Sequence, residues 1–169
     1  MMRVGIAGYG VVGKTRHRSI ESNTSYQVTA ISESSEKARK SIPEGMTVYN
    51  DYKTLIASAE LDVIFISLPN QFAAEAACLS LQNGLHVFCE KPPARTHAEL
   101  LEVEKQSLKF PELKLMYGFN HRFHLSVEEA KSLIDSNSLG RLINMKGVYG
   151  KSQMISFNQT DWRTDREAS

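Results

Sequence analysis

Residues 3–15 read RVGIAGYGVVGKT: a short apolar run from Arg3 to Ala7, glycines at 8, 10 and 13, and an apolar start to the next segment. Between a strand and a helix, each glycine has a separate use. Gly8 permits a tight turn, Gly10 lets backbone approach a pyrophosphate, and Gly13 allows the helix to pack closely on the strand. The amides of Val11 and Val12 then fall at the helix N-terminus, where unpaired N–H groups attract phosphate. Residues 8–15, GYGVVGKT, also satisfy the P-loop pattern, in which Lys14 would reach terminal phosphates and Thr15 would hold magnesium.

Context separates the two. A P-loop enzyme needs an acidic residue at the end of a later apolar strand, but the best such strand, Val63-Ile64-Phe65-Ile66-Ser67-Leu68, runs into Pro69 and Asn70. Glu33, by contrast, ends the second apolar run 20 positions after Gly13, where a carboxylate binds adenosine ribose hydroxyls. The dinucleotide reading therefore holds, and the charge of Glu33 favours NAD by repelling a 2'-phosphate. Ser34 supplies no compensating cation, although Lys37 and Arg39 leave NADP open.

Apolar runs alternate with helical patterns along the chain, the form taken by repeated β-α units. Strands are expected at Arg3–Ala7, Tyr26–Ile31, Met46–Tyr49, Asp62–Ser67, His86–Cys89 and Leu113–Gly118. Helices are expected at Val11–Ser22, Ser35–Ser41, Asp51–Ala59, Gln71–Asn83 and His97–Lys109. Gly84 has the place of a helix C-cap, and Thr96 with Glu99 the spacing of a capping box. Together these predict an α/β fold with a doubly wound parallel (Rossmann) sheet over residues 1–120. Residues 121–169 would begin a second α/β domain. There, Ser126 and Glu129 would open a helix to Asn137, Gly140 would close it, and a strand would run from Arg141 to Gly150. One helix and one strand cannot bury a core, so this second domain is expected to be incomplete.

Composition narrows the partners. Lys and Arg number 20 against 19 Asp and Glu, a formal charge of +1, far from the basic excess of nucleic-acid binders. No apolar run approaches the roughly 20 residues that span a bilayer, and glycines break the N-terminal apolar stretch where a signal peptide would need continuity. Two cysteines, Cys78 and Cys89, make no disulfide framework. A cytoplasmic protein is expected, with neither nucleic acid nor membrane as partner.

The fifth strand ends in Cys89-Glu90-Lys91-Pro92-Pro93, at the carboxyl edge where open α/β sheets bind ligands. A lysine beside a cationic nicotinamide ring can exchange a proton with a substrate hydroxyl while hydride moves to the ring. The ordered set of the glycine loop, Ser67-Leu68-Pro69-Asn70, Gly84-Leu85-His86-Val87, Glu90-Lys91-Pro92 and Gly118-Phe119-Asn120-His121-Arg122-Phe123 resembles the Gfo/Idh/MocA oxidoreductases over essentially the whole chain. That resemblance implies reversible oxidation of a secondary alcohol on a sugar, nucleotide sugar or cyclitol, by a homo-oligomer in its full-length form. To the second α/β domain begun by residues 121–169 it assigns substrate binding and oligomerisation. It implies Lys91 as the catalytic lysine, also facing substrate, with Glu90 orienting it. It further implies a cofactor loop containing Ser67, Pro69 and Asn70, with Asn120 and Arg122 facing nicotinamide or substrate. Trp162-Arg163 resembles the family segment that closes over the site, and residues 119–151 resemble a branch acting on sugars or nucleotide sugars. His121 and His124 share a helix face but have no further ligands, so no metal is expected.

Two departures qualify this. Ala73 stands where many members have histidine, which puts one cofactor-side contact in doubt. The family's Asp and His, three residues apart and downstream of the Trp-Arg segment, do not occur before Ser169, so the chain is read as an N-terminal portion lacking the substrate histidine. A cofactor-binding interaction protein that never catalyses, pairing through its strand at 141–150, is the competing function.

Overall fold

The structure, a computed structural model, describes residues 1–148 and 150. Residues Met1–Gly118 form one compact unit, and the described residues from Phe119 onward belong to a second. In the first unit, β1 (Met2–Ala7), α1 (Val11–Glu21), β2 (Tyr26–Ser32), α2 (Glu36–Arg39), β3 (Thr47–Tyr49), α3 (Tyr52–Ser58), β4 (Val63–Ile66), α4 (Asn70–Gln82), β5 (His86–Cys89), α5 (His97–Lys109) and β6 (Leu115–Tyr117) alternate as the sequence pattern requires. All strand pairs are parallel, and the order is β3-β2-β1-β4-β5-β6. This is the doubly wound sheet expected, with its switch point between β1 and β4.

The two sides of the sheet carry separate cores. Val4, Ile6, Val28, Ile31 and Val63 gather with Ile20 of α1 on one. Ala7, Ala30, Ile64, Ile66, Val87 and Cys89 gather with Leu55 of α3, Leu81 of α4 and Val103 of α5 on the other. Each fully buried Ile or Leu contributes about 1.5–3 kcal/mol, which is why strands covered on both faces read as unbroken apolar runs. Strict alternation fails once. The register passes from Val4↔Val28 to Gly5↔Ala30, so Thr29 is left out of the ladder and Val28 and Ala30 face opposite sides. A Cβ on Gly5 would lie 2.5 Å from Leu61 Cδ1, so this glycine is small because Leu61 fills the space above it.

Helix ends follow the expected punctuation. Gly84 lies at φ 76°, while Gly84 N–H reaches Leu81 O and Leu85 N–H reaches Ser80 O, both at 3.0 Å. These two bonds close α4. Thr96 Oγ1 accepts the Glu99 amide at 3.2 Å at the start of α5. The returning Glu99 carboxylate takes the amide of Arg95 at 2.9 Å.

The second unit departs from expectation at both ends of its helix. A short 3-10 turn, Asn120–Phe123, leads into α6 (Leu125–Asp135), whose N-cap is His124, without a side-chain cap. Ser126 and Glu129 thus lie inside the helix and form no capping box, because the extended residue that follows the 3-10 turn is His124, which takes the N-cap place two residues before Ser126. Gly140 does not close the helix either. Asn137 takes the left-handed conformation at φ 55°, its amide reaching Ile134 O at 3.0 Å and that of Ser138 reaching Leu133 O at 3.2 Å. The strand expected at Arg141–Gly150 is not formed by the described residues of that stretch. Its apolar positions Leu142, Ile143 and Met145 are exposed, and a strand without a ladder partner leaves its backbone groups to water.

Candidate functional site

The sheet's carboxyl edge gathers the residues that matter. Gly8 turns the chain out of β1 at φ 89°. A Cβ there would lie 2.5 Å from Ser67 O, so the glycine loop is pressed against the end of β4. Gly13 is tighter still: its Cβ would meet Gly8 O at 2.1 Å, so α1 sits directly on the loop it follows. Gly10 differs from both. It is the N-cap of α1, with an ordinary φ of −72° and no side-chain cap, and its Cβ would meet nothing within 4 Å. Neither strain nor packing requires glycine there. Open space beside the uncapped helix start, with Val11 exposed next to it, is a cradle that fits a dinucleotide pyrophosphate.

Glu33 holds this cradle in place. One carboxylate oxygen accepts the Tyr9 amide and the other the Ser35 amide, both at 2.9 Å. Each oxygen keeps lone-pair capacity for a hydroxyl donor, as a ribose contact needs. The buried Tyr9 side chain anchors the loop from beneath, with its hydroxyl 2.6 Å from His17 Nδ1. Burial, then the charge of Glu21, pushes the Tyr9 phenol up, so it stays protonated.

The P-loop alternative finds no support. Because α1 already begins at Val11, Lys14 and Thr15 lie within its opening turns. The Thr15 hydroxyl bonds Val11 O at 3.0 Å instead of facing a magnesium position, and Lys14 Nζ lies 5.9 Å from the Tyr9 ring centroid.

Beyond β4, half-buried Ser67, Pro69 and Asn70 lead into α4. Ser67 Oγ is buried without a hydrogen-bond partner among the described residues. Ala73, at the position of departure, is buried in the core. At the end of β5, Lys91 is exposed, precedes a cis peptide bond to Pro92, and makes no ion pair among the described residues. Glu90 beside it is engaged. Its Oε1 receives Arg16 Nε at 2.6 Å and Nη2 at 2.5 Å, and a Cβ on Gly118 would lie 2.8 Å from its Oε2. Burial, then the charge of Glu90, pushes the Cys89 thiol up to about 12, so it is no nucleophile at neutral pH.

Arg16 is a residue beside the site that motif reading did not single out, and Gly118 was read only as the head of its motif, not as a neighbour of Glu90. The sign was present in α1, where Gly13, His17 and Ile20 are the buried positions. Arg16 falls next to that inward stripe, and a cation so placed needs a counterion. Asn120 and Arg122 lie in the 3-10 turn of the second unit. Trp162 and Arg163 lie outside the described residues. No cluster of three or more His, Cys, Asp or Glu among the described residues is placed to hold a metal, and no described helix is long and apolar enough to cross a membrane.

Comparison with known proteins agrees with this geometry. Residues 2–118 match the family described as "Oxidoreductase family, NAD-binding Rossmann fold". D-glucoside 3-dehydrogenase of Escherichia coli K12 is 28% identical over 145 residues, 83% of this chain and 41% of that protein. Inositol 2-dehydrogenase of Salmonella paratyphi B is 27% identical over 159 residues, 91% of this chain and 47% of that protein. Scyllo-inositol dehydrogenase of Lactobacillus casei, solved with NAD(H) and scyllo-inositol, superimposes with a TM-score of 0.75 at 27% identity, covering 83% of this chain and 42% of that one. The chain thus spans less than half the length of these relatives. With its matched residues covering the whole glycine loop, the carboxyl edge of the sheet and Lys91, the chain belongs to the Gfo/Idh/MocA family of NAD-binding oxidoreductases.

Proposed function

We propose that this chain binds NAD across the crevice between β1 and β4 and supplies the acid–base lysine for oxidation of a secondary alcohol on a cyclitol or sugar. The cradle at Gly10 would receive the pyrophosphate and Glu33 the adenosine ribose. NAD, when bound, supplies the acceptor for hydride. Lys91 Nζ would take the hydroxyl proton as the alcohol becomes a ketone and return it in reverse. The observation that carries this reading is the exposed Lys91 at the carboxyl edge, in the same unit as an open helix start. The named relatives act on inositol and glucosides, which favours a ring polyol. Residues from Phe119 onward, with Asn120, Arg122, Trp162 and Arg163, would contribute to the substrate side.

Titration with NADH, followed by nicotinamide fluorescence, tests the cofactor half. Saturable enhancement supports it, and no binding at millimolar cofactor overturns it. Lys91→Ala tests the catalytic half in NAD-linked oxidation of inositols and glucosides. Turnover should fall on the order of a thousandfold with NADH affinity roughly intact. Near-normal turnover would remove Lys91 from its role.

A further inference from the structure

We infer that Arg16 is a positioning residue which neutralises Glu90 at the nicotinamide end of the crevice, so that this ion pair sets the preference between oxidised and reduced cofactor. The inference rests on the cofactor reading above. Glu90 stands at the carboxyl end of β5, next to Lys91, and is only 16% exposed in its side chain, with Arg16 at 20%. A carboxylate this far withdrawn from water acts strongly on nearby charge, because solvent screens it poorly.

The pair is held from three directions. Arg16 Nε and Nη2 both reach Oε1. The guanidinium carbon lies 4.8 Å from the Phe88 ring centroid, and that ring stacks on Phe65 at 4.9 Å. The backbone of Gly118 closes the side of Oε2, where even a methyl group would collide. Such a fork over an aromatic face is a use that lysine cannot reproduce. The consequence concerns charge. With Arg16 in place, the pair as a whole presents no net charge. Without Arg16, an uncompensated carboxylate would face the ring.

The nicotinamide ring is cationic in NAD+ and neutral in NADH, so the charge state of Glu90 acts on one form and not the other. A purely structural tie between α1 and β5 would affect both alike. Dissociation constants for NAD+ and NADH, measured by titration calorimetry on the wild type, Arg16→Met, Glu90→Gln and the double variant, separate these roles.

Arg16→Met should lower the ratio of the NAD+ constant to the NADH constant about tenfold, the scale of one partly screened charge acting on a cationic ring. Glu90→Gln should raise that ratio. The double variant should return it to within about twofold of the wild type, as compensating charges require. Equal weakening of both cofactors in Arg16→Met, or an unchanged ratio in Glu90→Gln, overturns the inference. If Arg16→Met does not fold, the Glu90→Gln shift decides. Failure of the wild type to bind either cofactor overturns the cofactor reading itself, and this inference with it; binding with unmoved ratios overturns this inference alone.

Discussion

Gly10 and Gly13 stand in one loop and answer to different demands. At Gly13 the chain itself forbids a side chain, since a Cβ would sit 2.1 Å from Gly8 O. Gly13→Ala is therefore expected to lower stability by about 1–3 kcal/mol, as over-packing does, read as a lower urea midpoint. Gly10→Ala meets nothing within 4 Å and should fold with an unchanged midpoint. It should nonetheless weaken NADH binding, because the added methyl occupies the cradle. The three glycines were legible in the sequence as one motif; which of them the protein needs for itself, and which it leaves open, was not. That distinction depends on the neighbours of each Cα. The same limit applies to Glu90 and Gly118. Their adjacency joins the ends of β5 and β6, and no spacing along the chain encodes it.

Helices and strands were legible where their signals are local or where burial is complete. Gly84 is a case of the first kind: its positive φ and the two bonds behind it turn α4 into buried Leu85. Gly84→Ala should cost about 1 kcal/mol by forcing a side chain into the left-handed region. Urea unfolding should show this as a shifted midpoint with an unchanged slope. Strand β4 is a case of the second kind, since Val63–Ile66 is apolar at every position. The misreadings in the second unit have the opposite origin. Ser126 and Glu129 carry the letters of a capping box, but where a helix begins depends on the conformation handed to it by the preceding turn. Residues 141–148 carry apolar residues at 142, 143, 145 and 148, yet a strand exists only through a partner.

At the scale of the molecule, charge and topology come together. Lys53 and then Tyr52 hold the Glu75 carboxyl below its ordinary value of 4.5, tying α3 to α4. Arg3, on β1, does the same for Asp62 at the start of β4, and the Thr54 amide for Asp51 at the start of α3. A carboxyl held below its unfolded value adds stability that is fully present above that value and lost as pH falls through the native one. Stability should thus stay level from neutral pH down to about 5 and decline below about 4, where such carboxyls take up protons. Urea midpoints across this range check it, and an unchanged midpoint at the acid end would contradict it. The doubly wound plan was legible from alternating patterns alone, because parallel strands joined by helices admit few other arrangements.

The sheet's order also fixes when it can be finished. β1 leaves the ribosome before the other five strands of this sheet, yet it lies at the centre, paired on one side with β2 and on the other with β4, where Val4 meets Val63. Until β4 has been synthesised, one whole edge of β1 has nothing to bond, and it carries Val4 and Ile6, which later lie fully buried. The nascent chain therefore passes through a stage in which its most central strand is an open, apolar edge, the kind of surface that invites pairing with another chain.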